Sequence, residues 1–467
     1  MATITFYGAA QEVTGSCHLL ESPALGKVLL DCGLHQGSRA RRQFESESFR
    51  FNPATIDAVI LSHAHLDHSG KLPVLVHEGF EGNIFCTQAT AELLPVMLFD
   101  AFSLYQNDLR RKNTKLKRKG KKEIEAKYTK SDVIQAISQC KPFAYKENVC
   151  LSNDAHFHFY DAGHILGSAI IELKIKEQGR EKTLVFTGDL GKKDTLLMND
   201  PTFLTHADVV LMEGTYGDRN HRTLEDTFTQ FKAILHDAFL KGGNVMLPAF
   251  AVGRTQELLL YLGQLQHKGE LDNWTTFLDS PMAIEITKIY DKWMPTLDCE
   301  GVKTLQSGEE KLLKDYISSL HLTVTSDESM AINTIKNNAI IIAGSGMCTG
   351  GRITHHFKHR IWDSRNTLVF VGYQANGTLG RNLVDGAQQI KLFGEEFSVK
   401  ANVETLGGFS AHAGQSELIE WISHFENNPR VILVHGEAKA LDTLANELWE
   451  QKSIQTEIPI LGQNIAF

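Results

Sequence analysis

The stretch Val59-Ile60-Leu61-Ser62-His63-Ala64-His65-Leu66-Asp67-His68-Ser69-Gly70 joins an apolar run of strand type to three histidines and an aspartate within six residues. Imidazole nitrogen and carboxylate oxygen are the ligand atoms that zinc takes in hydrolytic sites. Residues two apart on an extended segment point the same way, so His63 and His65 face one metal position. The chain then bends at the following loop and helix start, which turns Asp67 and His68 toward a second position nearby. Four such residues bunched at a strand end have no ready explanation as packing. The stretch predicts a two-metal hydrolytic centre.

The rest of the composition sets the frame for that centre. A chain of 467 residues exceeds one ordinary core and predicts two domains. Hydrophobic content of 42% and charged content of 22% are those of a soluble globular protein. No apolar run reaches the length of a membrane span, and the first residues read as a strand rather than a signal peptide. Seven cysteines, at 17, 32, 86, 140, 150, 299 and 348, include no C-x-x-C pair. An odd, scattered set argues against a disulfide framework and for a reducing compartment, the cytoplasm. Net charge is −9, but residues 110–130 carry eleven Lys/Arg against two Glu, so everything outside them carries −18. A charge block of this kind is either a solvated face or an arm that tracks phosphates.

In the first two hundred residues short apolar runs alternate with Gly- and Asp-bearing turns. Strands are expected at 3–7, 17–21, 27–31, 58–62, 83–86, 156–160, 168–175 and 182–187, and helices at 89–105 and 131–138. Sheets covered by helices follow from that alternation. Asp31 ends a strand in Leu29-Leu30-Asp31-Cys32-Gly33. His164 sits in the turn Asp161-Ala162-Gly163-His164-Ile165-Leu166-Gly167-Ser168, and Asp189 is framed by glycines in Phe186-Thr187-Gly188-Asp189-Leu190-Gly191. His156 and His158 alternate with Phe157 and Phe159 as one face of a strand and are not read as ligands.

The first stretch resembles the H-x-H-x-D-H signature of the metallo-β-lactamase superfamily. Fold alone does not settle function there, because the signature serves several chemistries. About 180 further residues, roughly 208–388, intervene before the chain closes, with a helix expected at 224–240, a strand at 244–247, a helix at 254–264 and strands at 275–278, 339–343 and 367–371. This is the pattern of a separate α/β unit on a largely parallel sheet. The segment opens with Val209-Val210-Leu211-Met212-Glu213-Gly214-Thr215-Tyr216-Gly217. Gly407-Gly408-Phe409-Ser410-Ala411-His412-Ala413 and Val431-Ile432-Leu433-Val434-His435-Gly436-Glu437 follow it. In this order the three resemble motifs A, B and C of the β-CASP nucleases.

That resemblance implies an α/β fold: a metallo-β-lactamase αββα sandwich, residues 1–207 and 389–467, with a β-CASP α/β domain inserted at 208–388. It implies that His63, His65, His164 and Asp189 hold one Zn²⁺, and that Asp67, His68, Asp189 and His435 hold another. Mn²⁺ also suits these ligands. Asp31 then orients a ligand from behind. A hydroxide bridging the two ions is the implied nucleophile, with His412 as general acid and Glu213 orienting it. A histidine in motif C resembles the RNA-processing branch, whereas the DNA-repair branch carries an apolar residue. The implied activity is hydrolysis of single-stranded RNA threaded beneath the inserted domain, which acts as a lid. A homodimer is implied by the family, and no membrane is involved.

Three loops of the insert look suited to phosphates, because free amides at a helix start attract anions and glycines let backbone approach a ligand. They make Arg254, Ser345, Arg352 and Arg381 candidates for RNA backbone contacts. No G-x-x-x-x-G-K-[ST] motif occurs, which argues against ATP. The rival readings are a structure-specific DNA nuclease of the same family, a small-molecule ester or thioester hydrolase, and a non-catalytic RNA-binding subunit.

Overall fold

A computed structural model describes residues 2–35, 48–177, 179–308 and 311–467. The chain divides into two units: Met1–Lys193 with Asp200–Asn220 and His412–Phe467, and Asp194–Asn199 with His221–Ala411. Among the described residues the first unit holds two seven-stranded sheets. One runs in the order Asn464–Ala466, Thr3–Phe6, His18–Ser22, Gly26–Leu30, Ala58–Ile60, Asn83–Thr87, Cys140–Phe143. The other runs Thr456–Glu457, Arg430–Val434, Val209–Glu213, Arg180–Phe186, Ala169–Glu177, Ala155–Asp161, Val149–Ser152.

The period of two along each strand decides which side chains meet. Leu184 and Phe186 point into the space between the sheets, where they join Ile4, Phe6, Leu30, Ile60, Phe157 and Phe159. Val185 points the other way, with Val210, Met212 and Leu433, onto the helices Gln415–Ile422 and Ala438–Lys452. Leu418, Trp421, Leu441, Leu444 and Leu448 of those helices supply the covering face. The helices Leu72–His77, Gln88–Arg118 and Lys130–Ser138 pack against one another on the side of the first sheet. The result is the expected αββα sandwich. The eight expected strands all form, each within two residues of its expected bounds. Cys140–Phe143 and Val149–Ser152 were not expected. They are short edge strands, half exposed: Cys140–Phe143 has no apolar run, and Val149–Ser152 has one of only three residues.

The helix expected at 89–105 instead runs Gln88–Arg118. Lysine and arginine are good helix formers, and positive charge is favoured at a helix C-terminus, so the basic run prolongs the helix instead of ending it.

The second unit is built on a six-stranded sheet in the order Leu320–Leu322, Thr275–Asp279, Ala339–Ala343, Val245–Pro248, Thr367–Phe370, Asn402–Thr405, with every neighbouring pair parallel. Its central strand Ala-Ile-Ile-Ile-Ala is wholly buried, as a parallel strand covered on both faces must be. Residues 402–405, which follow the inserted segment in the sequence reading, supply the edge strand of this sheet. Among the described residues no helix is long and apolar enough to cross a membrane.

At the end of its strand Asp279 is fully buried and takes hydrogen bonds from Thr323 Oγ1 (2.6 Å), Ser329 Oγ (2.7 Å) and Arg352 Nη1 (2.7 Å), with His356 Nε2 also at 2.7 Å. Burial pushes its pKa up, but the hydrogen bonds from His356, Thr323, Ser329 and Arg352 outweigh burial and hold the carboxyl below its ordinary value. A group with a depressed folded pKa stabilises the fold above the unfolded pKa and stops doing so as pH falls through that range. Asp279→Ala leaves Arg352 and His356 without their buried partner and should destabilise this unit by about 3–5 kcal/mol near neutral pH. The deficit should shrink below about pH 4. Calorimetric melting of both proteins at neutral and acid pH checks this, and an equal loss of Tm at both would remove the ionised carboxylate from the account.

Candidate metal centre

Asp31, His63, His164, Asp189, Glu213 and His435 leave the end of a strand or the turn after it, whereas Asp67 and His68 stand on a short helix. Asp31 follows the strand Gly26–Leu30 with φ of +61° and is completely buried. Its Oδ1 accepts from Ser62 N (2.8 Å), and its Oδ2 accepts from Ser16 Oγ and Ser62 Oγ (3.0 Å each) and lies 2.7 Å from His68 Nδ1. That last contact fixes the His68 ring with Nε2 facing inward. Gly33 makes the approach feasible, because a Cβ there would stand 1.6 Å from the Asp67 carbonyl oxygen.

His63 and His65 leave the strand Ala58–Ile60, and His65 opens the one-turn helix Leu66–Ser69 that carries Asp67 and His68. His65 Nδ1 lies 3.1 Å from His63 Nε2 and 3.2 Å from His164 Nε2. Asp189 Oδ2 stands 3.6 Å from His63 Nε2 and 3.5 Å from His164 Nε2. The other carboxylate oxygen faces the opposite way: Asp189 Oδ1 is 3.3 Å from His68 Nε2 and 3.2 Å from His435 Nδ1. Asp67 Oδ2 lies 4.0 Å from His435 Nε2. One carboxylate therefore divides five imidazoles into a set of three and a set of two. Gly191 lets this loop lie against the His164 turn, since a Cβ there would stand 2.0 Å from Gly163 O.

At the edge of the cluster His412 Nδ1 is 3.0 Å from Glu213 Oε1, and His412 Nε2 is 4.0 Å from Asp189 Oδ2. Glu213 is buried and held by Leu190 N on Oε1 (2.7 Å) and Thr215 N on Oε2 (3.1 Å). The side chain of His412 is 20% exposed.

The charges respond to one another. Burial pulls His412 down, but the carboxylates of Glu213 and Asp189 outweigh it and lift its pKa to about 9. His68 is likewise raised by Asp189 and Asp31 against burial. Burial, then the His68 charge, push His63 well down, so it offers a lone pair rather than a proton. Burial opposes ionisation of Asp189, yet His435, His68 and His412 hold its carboxyl well below the usual range.

In the second unit the side chains proposed to meet phosphate are differently placed. Arg254 is buried and paired with Glu257. Arg352 is engaged by Asp279 and by the carbonyls of Thr323 and Val324. Arg381 is 40% exposed beside Asp385 (2.9 Å), and Ser345 Oγ donates to Gly350 O (3.3 Å). Gly351, with φ of +75°, opens the helix Arg352–Arg360 so close to Gly344 that a Cβ would stand 2.3 Å from its carbonyl oxygen.

Three family models match the chain: the metallo-beta-lactamase superfamily at residues 10–131, the Beta-Casp domain at 255–383, and the Zn-dependent metallo-hydrolase RNA specificity domain at 396–459. Ribonuclease TTHA0252 of Thermus thermophilus is 39% identical over 442 residues, 95% of each chain. The chain belongs to the β-CASP branch of the metallo-β-lactamase superfamily. An RNase J-like protein of Methanocaldococcus jannaschii is 30% identical over 99% of both chains. Transcription termination factor FttA of Methanosarcina mazei is 33% identical over 97% of this chain and 70% of its own length. A crystal structure of a protein of unknown function from Enterococcus faecalis V583 shares the fold over the whole of both chains, with a TM-score of 0.53 at 13% identity.

The β-CASP chain passes a direct test for metal. A tetrahedral zinc bonded to nitrogen at 2.0–2.1 Å has ligand-to-ligand edges of about 3.3–3.4 Å. Four of the six separations among His63, His65, His164 and Asp189 run from 3.1 to 3.6 Å, and all six lie within 4.8 Å. Nitrogen lone pairs do not approach so closely without a cation or proton to share. Nε2 of His435 is buried without a hydrogen bond, a polar atom awaiting a partner. His63, His65, His164 and Asp189 bring ligand atoms within 4.8 Å of one another, and so do Asp67, His68 and His435. The residues fit metal.

Several positioning groups in this β-CASP chain escape a reading by residue type. Ser16 and Ser62 hold Asp31, and Thr215 Oγ1 lies 3.2 Å from His435 Nδ1 and donates to His435 O (3.1 Å). The hydroxyl next to His63 was the available signal. His18 is buried edge-on between Phe6 and Phe186, with neither ring nitrogen hydrogen-bonded, and burial lowers its pKa to about 3.

Removing Asp31 should loosen the His68 ring without touching its backbone. Asp31→Ala is expected to weaken metal retention about 10–100-fold, read as metal content after dialysis against graded chelator. Retention equal to the parent protein would show that Asp31 acts only as a turn residue.

Proposed function

We propose that the chain is a metal-dependent ribonuclease that hydrolyses phosphodiester bonds of single-stranded RNA. The ribonuclease at 39% identity over 95% of each chain, and the RNA specificity domain matched at 396–459, support RNA as substrate. The observation that carries the chemistry is the placement of His412, oriented by Glu213, beside a carboxylate that faces two imidazole sets.

His63, His65, His164 and Asp189 would hold one divalent ion, and Asp67, His68, Asp189 and His435 the other. Zinc is the first expectation, because the donors are borderline-soft nitrogen with carboxylate oxygen, and Mn²⁺ is the alternative. When bound, the ions supply water activated for attack at neutral pH and positive charge against the phosphodiester. His412 presents its Nε2 edge to the departing ribose oxygen and gives it a proton. Its raised pKa keeps that proton in place at neutral pH. Glu213 holds Nδ1, so the ring can face only one way. Asp31 holds His68 from behind. Of the phosphate candidates, Arg381 and Ser345 have the exposure to contact an RNA backbone, whereas Arg254 and Arg352 would shape the loops around it. Seven free cysteines support a reducing compartment, the cytoplasm. A homodimer belongs to the same reading, and light scattering that returns the mass of a single chain would remove it.

RNA of one sequence, labelled at either end, would be incubated with zinc-loaded protein and with His63→Ala and His412→Ala. His412→Ala should keep its metal and lose about 10²–10⁴-fold in kcat, while His63→Ala should lose both. Internal fragments would mark endonuclease action, and mononucleotides from the 5′ end exonuclease action. Cleavage of DNA in place of RNA would overturn the assignment of substrate.

A further inference from the structure

The long helix Gln88–Arg118 starts at the metal cluster and ends in a concentrated positive charge. At its start, Thr87 Oγ1 and Thr90 Oγ1 both donate to Gly167 O, at 2.6 and 2.9 Å. Gly167 lies in the turn that carries His164, so the helix is fastened to the site itself. At its end, residues 110–122 contain nine Lys/Arg and no carboxylate. Arg110, Arg111, Lys115, Lys117, Arg118, Lys119, Lys121 and Lys122 are all exposed.

This tip is a built element. The returning chain is clipped to the helix by Asn113, whose side chain donates to Ile124 O (2.9 Å) and accepts from Ile124 N (2.8 Å). Lower down, Tyr105 Oη accepts from Lys127 N (2.8 Å), and the Tyr105 ring stacks on buried Tyr128 at 4.9 Å. Arg111, Lys115 and Arg118, spaced four and three apart, lie along one face of the helix. Like charges at such spacing repel, and a face that serves only solubility ordinarily mixes signs. The remainder of the chain carries −18, so an RNA approaching it needs positive charge from somewhere.

We propose that the arm is a second RNA-binding surface, which holds the substrate backbone at a distance from the metal cluster. The proposal rests on the ribonuclease reading. At 1.5 Å per residue, Arg110 and Arg118 lie roughly 30 and 42 Å along the helix from Thr90. A stacked strand at about 3.4 Å per nucleotide covers that span in roughly 9–12 nucleotides. The arm therefore discriminates RNA by length: a chain long enough to reach both places is held at both.

The test uses the full chain and a variant carrying Arg111→Gln, Lys115→Gln, Arg118→Gln, Lys119→Gln and Lys121→Gln. All five positions are exposed and glutamine is a good helix former, so melting temperature should not move. Fluorescence anisotropy with chelator present measures binding of an unstructured RNA of about 40 nucleotides without cleavage. The variant should bind it at least tenfold more weakly, and the slope of log K against log salt should fall by about 0.7 for each phosphate no longer neutralised. Arg111→Lys with Arg118→Lys should keep both quantities near wild type. In cleavage, the wild-type preference in kcat/KM for the long RNA over one of about 8 nucleotides should collapse in the variant. An unchanged affinity and salt slope would overturn the proposal. Failure of the wild type to cut either RNA would count against the nuclease reading alone, because the anisotropy measurement does not depend on cleavage.

Discussion

The first unit is organised around one buried carboxylate. Asp189 sits 2% exposed among five imidazoles, with each oxygen committed to a different group of rings. A charge in that position is costly unless it is paired on every side. The chain meets that demand by converging loops from both sheets on a single point: the His63–His68 segment from one, and the His164, Asp189, Glu213 and His435 loops from the other. The parallel pairing of Arg180–Phe186, Val209–Glu213 and Arg430–Val434 brings Asp189, Glu213 and His435 out at the same sheet edge. Strand direction, set by hydrogen bonding far from this cluster, is what aims its side chains.

Much of this was legible because it is local. His63, His65, Asp67 and His68 lie within one strand end and one helical turn, so spacing alone brought them to one place. Sheets covered by helices were legible from the alternation of short apolar runs with Gly- and Asp-bearing turns, whereas the αββα layering was legible only through the likeness to the superfamily. Glu213 and His412 stand 199 residues apart in sequence, and their pairing was legible only through the likeness to β-CASP motifs. The hydroxyls of Ser16, Ser62 and Thr215 were opaque, since nothing in the residue type separates a serine that holds a carboxylate from one that faces water.

The loops of the second unit teach a different lesson. Gly-rich turns with an arginine look alike whether the guanidinium faces solvent or an internal acid. Arg352 proves to be engaged by Asp279 and two carbonyls, and Arg254 by Glu257 one turn along its own helix. The competing carboxylate lies 73 residues from Arg352 in sequence, beyond the reach of any local pattern. The helix Gln88–Arg118 was read short for the opposite reason: its last turns lack the apolar residues that mark a buried face, and their helix preference and the clip to Ile124 leave no such mark in the sequence.

The order in which the ligands occur along the chain has a consequence during synthesis. His63 to Asp189 leave the ribosome before the second unit is made, but His412 and His435 come after it. At roughly 5–20 residues per second, a nascent chain spends on the order of tens of seconds with His63, His65, Asp67, His68, His164 and Asp189 made but neither His412 nor His435. Throughout that interval it is tethered to a messenger RNA. The cluster of a ribonuclease assembled in this order stays incomplete beside its own template until the second unit and the segment after it have been made.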